Sequence, residues 1–157
     1  MSDTSVQARE ALLQAWIDMS LRVRGNRLVS GLSFNEIVIC RILYERQSKG
    51  EGPVTASELC RKMHLLKSQI NKILTSMEKQ GLIERVRSGN DRRKIEICLK
   101  PGTERIYLEA HERILLIMEH VCEHMGAEHA HQLTVLLCEA VRSMDSVPPV
   151  ETERKQQ

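Results

Sequence analysis

The sequence predicts a mainly α-helical fold that contains one small β-hairpin. Most of the chain carries apolar residues at helical spacing, whereas two short segments, 82–87 and 93–99, flank a cluster of turn-forming residues at 88–92. The 157 residues are enough for one compact domain with its own hydrophobic core. A content of 41% apolar and 28% charged residues is typical of a globular protein.

Start and stop signals predict four helices before the hairpin. Apolar residues at helical spacing indicate a first helix over about 5–24. Capping boxes, in which the first and fourth residues satisfy each other's backbone amides, begin the second and third helices at Ser33 and Thr55. The third helix is barely two turns long, and the fourth covers 67–80.

Two longer helical patterns follow the hairpin. The first runs from about Thr103 to Met125 and has two neighbouring apolar rows, and the second begins after Gly126. A helix with two apolar faces requires two partners, so we expect one partner to be a second chain. The expected dimerisation residues are Leu12, Leu13, Trp16, Ile114, Ile117, Val121, Leu133, Leu137 and Val141.

The charge of the chain is concentrated in one stretch. The formal net charge is +2, but residues 61–94 contain ten Lys and Arg against three Asp and Glu, so the remainder carries −5. This stretch lies within a short helix, a turn, a longer helix and the hairpin. In a helix-turn-helix the second helix enters the DNA major groove and the first braces it. The sequence therefore predicts a winged helix-turn-helix domain on a helical dimerisation scaffold.

The predicted boundaries follow from this order of elements. We expect residues 33–100 to form the DNA-binding lobe, residues 5–31 and 103–145 to form the helical dimerisation region, and residues 146–157 to form a flexible tail. The polar start of the chain and the absence of a long apolar run predict a cytoplasmic protein without a membrane segment.

Polar and basic side chains on the fourth helix and the hairpin are candidate DNA contacts. Gln and Asn can bond adenine in bidentate fashion, whereas Ser, Thr, Lys and Arg can contact phosphates or base edges. Arginines near the hairpin tip are placed to enter the minor groove. The predicted DNA-binding residues are Lys67, Ser68, Gln69, Asn71, Lys72, Thr75, Ser76, Arg85, Arg87, Arg92, Arg93 and Lys94.

Residues 77–85, Met-Glu-Lys-Gln-Gly-Leu-Ile-Glu-Arg, followed by Asp91-Arg92-Arg93 and Leu99, resemble the MarR (multiple antibiotic resistance regulator) family. The motif covers about residues 55–102, and the order of elements matches over nearly the whole chain. The resemblance implies a homodimer that binds a pseudo-palindromic operator, usually as a repressor released by a small-molecule effector or a redox signal. It also implies that Arg93 reaches the minor groove and that Asp91, a further DNA-site residue, holds the shape of the wing.

Two positions depart from the family's pattern. The fourth helix begins with Leu66 and Lys67, where the family often has Ser, Thr or Asp. Either Ser68 caps a helix that starts later, or the end stays uncapped until DNA binds. After the wing, the residues 99–102 replace the usual Leu-Thr pair, which displaces the start of the next helix.

Other functions have weaker support in the sequence. A winged helix that binds a protein instead of DNA is the main alternative. His120, Cys122 and His124 are the strongest metal-ligand candidates, but polar residues near a dimer interface are commoner, so we expect no metal and no cofactor. We expect five reduced, packed thiols, with Cys60 and Cys98 as the alternative redox sensors. The sequence contains no motif typical of an enzyme site, which predicts a protein without catalytic activity.

Overall fold

The computed structural model describes residues 3–25, 31–89 and 94–146. The fold is mainly α-helical with a small sheet, as predicted. Its helices are α1 (Asp3–Gly25), α2 (Phe34–Ser48), α3 (Ala56–Met63), α4 (Lys67–Lys79), α5 (Thr103–Met125) and α6 (Ala127–Asp145). Its strands are β1 (Val54–Thr55), β2 (Ile83–Arg87) and β3 (Ile95–Leu99).

The hairpin strands belong to a three-stranded antiparallel sheet of order β1-β3-β2. Strands β2 and β3 pair from Ile83 opposite Leu99 to Arg87 opposite Ile95. Strand β1 pairs with β3 on the other edge, where Val54 lies opposite Ile97. Strand β1 therefore connects the hairpin to α3, which begins at the next residue.

The two predicted capping boxes have different outcomes. At Ser33 the box is complete, since the hydroxyl accepts from the Glu36 amide at 3.4 Å and the Glu36 carboxylate accepts from the Ser33 amide at 2.7 Å. At Thr55 only the hydroxyl half is present, accepting from the Glu58 amide at 3.3 Å. The Glu58 carboxylate instead pairs with Arg46 of α2, so the predicted second box is only half right.

The hydrophobic core lies where α2, α3 and α4 meet the sheet. Ile39, Leu59, Ile70 and Met77 have no exposed surface, and Leu74 is 1% exposed. Burying such a side chain stabilises the fold by roughly 1.5–3 kcal/mol. The three buried residues of α4 therefore hold this helix firmly against the core. The apolar stripe predicted for this helix is therefore the face that it packs against the core.

A buried hydroxyl fixes the beginning of α5. The Thr103 side chain, 2% exposed as a residue, donates to the Leu82 carbonyl at 2.7 Å. The Lys100 amide donates to the same carbonyl at 3.0 Å. The helix after the wing thus begins at Thr103, as predicted, beyond the Pro101-Gly102 turn.

The chain forms two compact units, one up to Ile114 and one from Leu115 onwards. The first contains α1, the sheet and the helices around the core. In the second, no described residue of α6 is buried. Among the predicted dimerisation residues Ile114 and Ile117 are half-buried, whereas those exposed by more than a third are Leu12, Leu13, Trp16, Val121, Leu133, Leu137 and Val141.

None of the described helices combines the length and hydropathy that crossing a membrane requires. Of the predicted flexible tail, only Ser146 falls within the described residues.

Replacing Thr103 with Val should lower the free energy of unfolding by about 1 kcal/mol, because the shape is kept while a buried hydrogen bond is lost. Thr134→Val is the matched control, since the Thr134 hydroxyl donates to the Ala130 carbonyl on an exposed helix face. The control should change stability by less than about 0.5 kcal/mol. Urea unfolding of both variants measures the difference, and equal losses would contradict the role given to Thr103.

Candidate nucleic-acid interface

A tight turn connects α3 to α4. His64 adopts a left-handed conformation, with φ 52° and ψ 36°, and its amide donates to the Cys60 carbonyl. The Leu65 amide donates to the same carbonyl at 3.2 Å. Leu66 is extended, and α4 begins at the next residue. The left-handed residue ends the bracing helix, so that the second helix of the pair can begin after two residues.

His64→Gly should raise the free energy of unfolding by about 0.5–1 kcal/mol, because glycine adopts the left-handed conformation without strain. Arg61→Gly, three residues earlier in α3, should lower it by about 1 kcal/mol, because glycine is unfavourable inside a helix. Thermal unfolding with calorimetry gives both values. A loss of stability in the His64 variant would show that the imidazole makes a compensating contact.

The outward face of α4 carries the polar residues that the sequence singles out. The opposite face of the helix is in the core. The seven exposed residues are Lys67, Ser68, Gln69, Asn71, Lys72, Thr75 and Ser76. A shallow groove of about 450 Å³ lies on this face, and Lys79 also lines it. The sequence prediction did not include Lys79, although its spacing from Lys72 and Ser76 places it on the same side of the helix.

The first turn of α4 is capped in an unexpected way. The helix begins at Lys67, so Ser68 is its second residue and the hypothesis that Ser68 caps a later start is wrong. The residue at the N-cap position is Leu66, whose side chain has no hydrogen-bond acceptor. It therefore cannot bond to the free amides in the first turn of α4. Instead the Gln69 side-chain oxygen accepts from the Leu66 amide at 3.0 Å, which is the reciprocal half of a capping box.

The wing has two faces of different charge. Directly paired residues of β2 and β3 share a face, so Arg85 and Arg87 lie on the same side as Ile83, which belongs to the core. Glu84 and Glu96 lie on the opposite side. Arg87 and Lys94 are exposed, as a DNA contact requires. The predicted tip residues Asp91, Arg92 and Arg93 lie outside the described residues.

Arg85 is engaged with α4. Its Nη2 donates to the Thr75 hydroxyl at 3.2 Å and to the Asn71 carbonyl at 3.4 Å. Its Nε lies 3.7 Å from the Glu78 carboxylate, and the side chain is 27% exposed. The sequence placed Arg85 among the DNA contacts as a basic residue on the flank of the wing. These bonds assign it a positioning role, because they hold the wing against the outward face of α4.

A second polar contact holds the other end of α4. The Gln80 amide nitrogen donates to the Glu36 carboxylate at 2.9 Å and to the Ser76 hydroxyl at 3.1 Å. Glu36 is 8% exposed and also caps α2. The sequence gave no signal for this contact, since 44 residues separate its partners. It links the end of α4 to the start of α2.

The cysteines differ in environment. Burial raises the pKa of the Cys40 thiol to about 12, with a smaller effect of Glu36. Burial, then Glu84 and Glu96, also raise the pKa of Cys98, which disfavours the thiolate that a redox sensor needs. Cys60 is half-buried. Cys122 and Cys138 are exposed, so the expectation that all five thiols are packed is wrong for the isolated chain.

The suggested metal ligands lie on α5. His120, Cys122 and His124 are all exposed. Across residues 3–25, 31–89 and 94–146, no three His, Cys, Asp or Glu side chains are grouped to hold a metal ion. A zinc site would need more ligands than one turn of α5 brings together.

Arg85→Lys should lower the free energy of unfolding by about 1 kcal/mol, because one ammonium cannot keep both the Nη2 bonds to Thr75 and Asn71 and the Nε approach to Glu78. Arg87→Lys is the matched control on the same strand face and should change stability by less than about 0.5 kcal/mol, since Arg87 is exposed. Urea unfolding compares the two. An unchanged midpoint for the Arg85 variant would remove its positioning role.

Comparison with known proteins agrees with this geometry. Residues 31–94 match the model of the MarR family. A MarR family protein from Bacillus stearothermophilus has a structure that superimposes with a TM-score of 0.68 at 27% identity, covering 92% of this chain and 99% of that one. The chain is thus similar to MarR family proteins, by the family model over residues 31–94 and by fold over most of its length. The predicted resemblance and the winged helix-turn-helix fold are both confirmed.

Two curated relatives that align with most of this chain are named as regulators of transcription or of an operon. The HTH-type transcriptional regulator FarR of Neisseria gonorrhoeae is 26% identical over 142 residues, which are 90% of this chain and 89% of that protein. The homoprotocatechuate degradative operon repressor of Escherichia coli is 29% identical over 136 residues, 87% and 84% of the two chains. The repressor CouR, solved on a 23-mer DNA duplex, shares the fold with a TM-score of 0.74 at 19% identity over 86% of this chain and 95% of that one.

Proposed function

We propose that this protein is a member of the MarR family, a sequence-specific, DNA-binding transcriptional regulator that acts as a homodimer. The observation that carries the proposal is the two-sided nature of α4. Its apolar stripe is in the core, whereas its polar and basic face is exposed, and Arg85 of the wing contacts that face. Such a face offers amides and hydroxyls to base edges and cations to phosphates.

The names of two similar proteins support repression, rather than activation, of transcription. One is named a repressor of a degradative operon, and the CouR repressor was solved on duplex DNA. We therefore propose that this chain represses transcription in the cytoplasm and is released from its operator by a small molecule or another signal. The residues described above bind rather than catalyse in this proposal.

The helical region supports self-association. Leu12, Trp16 and Val141 are each exposed by 47% or more, and Leu133 and Leu137 by about two-fifths. A second copy of the chain would remove this apolar surface from water. A two-fold dimer would present α4 twice, to half-sites about one helical turn apart, ~10 bp centre to centre.

A winged helix that binds only proteins is the alternative, and the charge of the interface opposes it. Interface cores of protein complexes are depleted in charged residues, whereas the outward face of α4 carries Lys67, Lys72 and Lys79. A cationic surface of this kind is suited to a polyanion.

Binding to duplex DNA should depend strongly on salt, with affinity falling by orders of magnitude between ~50 and ~200 mM. Lys72→Ala should reduce the slope of log affinity against log salt by about 1 if the ammonium contacts a phosphate. Lys49→Ala is the matched control, since Lys49 is an exposed lysine at the far end of α2. Fluorescence anisotropy with a selected operator and with a random duplex gives the slopes.

Two results would contradict the proposal. One is the absence of low-salt affinity for any duplex, and the other is an equal change of slope in the Lys72 and Lys49 variants. Sedimentation analysis tests the dimer separately, and a monomer at micromolar concentration would exclude the two-half-site arrangement.

A further inference from the structure

Leu66 is the residue immediately before α4, and hydrophobic packing does not account for it. Its side chain is 70% exposed, and no large apolar side chain among the described residues is more exposed. The preceding residue, Leu65, is half-buried and packs against the core. Of these two adjacent leucines, the fold therefore explains the first and not the second.

Helix capping does not account for Leu66 either. The N-cap position favours Ser, Thr, Asp or Asn, whose side chains accept from the free amides of the first turn. Gln69 already supplies the reciprocal half of a capping box, since its oxygen accepts from the Leu66 amide at 3.0 Å. Leu66→Ser would complete this box. The chain thus exposes an apolar side chain at a position where a small polar side chain would stabilise the helix.

The surroundings of Leu66 suit duplex DNA better than an apolar protein surface. Its exposed neighbours along the chain are His64, Lys67 and Ser68, so the apolar surface in this segment is one side chain wide. A surface of that width matches a single methyl group, and the polar and cationic residues around it match the phosphates and polar base edges beside that group. Leu66 also adjoins the N-terminal end of α4, which is the part of a recognition helix that contacts base edges.

One base presents an apolar group in the major groove. Thymine carries a methyl group at C5, which is a partner for apolar side chains. The other groups by which the base pairs differ in this groove are hydrogen-bond donors and acceptors. Against a leucine these polar groups would lose water without gaining a partner, which is unfavourable. An apolar side chain at this position therefore selects thymine.

We propose that Leu66 specifies thymine in each half-site by packing against its C5 methyl group. This inference rests on the proposed function and names a base that the interface selects. The contact would remove both the methyl group and the leucine side chain from water, which offsets the missing helix cap. The sequence prediction did not include Leu66, because it selected polar and basic residue types.

Replacing single thymines with deoxyuridine tests the inference, because the exchange removes only the methyl group. The full-length protein would be titrated with its selected operator and with duplexes that carry deoxyuridine at one thymine at a time. At one thymine of each half-site the exchange should weaken binding roughly fourfold, the effect of one buried methyl group. With Leu66→Ser the same exchange should leave the affinity unchanged, because the apolar partner of the methyl group is gone.

Thermal unfolding separates this role from a structural one. Leu66→Ser should raise the midpoint of unfolding by about 2–4 °C through the completed cap, while it weakens binding to the selected operator. Leu66→Met keeps an apolar side chain and should retain the response to deoxyuridine. Lys67→Ala is the control at the next residue, and it should leave the ratio of thymine to deoxyuridine affinities unchanged.

Three results would overturn the inference. The first is a selected operator in which no thymine responds to deoxyuridine. The second is a response of equal size in the unmodified protein and in Leu66→Ser. The third is a change of sedimentation in Leu66→Ser without any response to deoxyuridine, which would show that a second copy of the chain covers Leu66. These results leave the proposed function intact, whereas failure of the unmodified protein to bind any duplex would overturn both.

Discussion

The burial of one stripe of α4 is the constraint on which the interface depends. Ile70, Leu74 and Met77 are each at most 1% exposed. Any rotation of α4 about its axis would bring these apolar side chains into water. With 3.6 residues per turn, the position of this stripe fixes which residues face outward. The polar face of α4 is therefore a consequence of hydrophobic packing, and its orientation needs no contribution from DNA.

Polar contacts then orient the packed helix relative to its neighbours. Arg85 holds the wing against α4, and Gln80 joins its C-terminal end to the buried Glu36 of α2. A surface held in this way loses little conformational freedom on binding, which favours affinity. The two faces of the wing also differ in charge, because Glu84 and Glu96 lie on the sheet face opposite Arg85 and Arg87. This arrangement would favour the approach of a polyanion to the arginine face of the wing.

Much of this architecture was predictable because it rests on local signals. The Ser33 capping box, the start of α5 at Thr103 and the apolar stripe of α4 follow from residue spacing within one or two turns. The contacts of Arg85 and Gln80 could not be predicted, because their partners are distant in sequence. Gln69 shows a different limit, since its residue type suggested a base contact, while its position three residues after Leu66 lets it cap the Leu66 amide. The assignment of individual DNA contacts stays a prediction.

The central claim is that the exposed face of α4 and the adjoining side of the wing are where duplex DNA binds. Backbone amide NMR of the deuterated protein, titrated with its selected operator, tests this most directly. We predict that the largest shifts occur over residues 66–76 and at Arg87. Shifts concentrated around Glu84 and Glu96, with α4 unchanged, would contradict it.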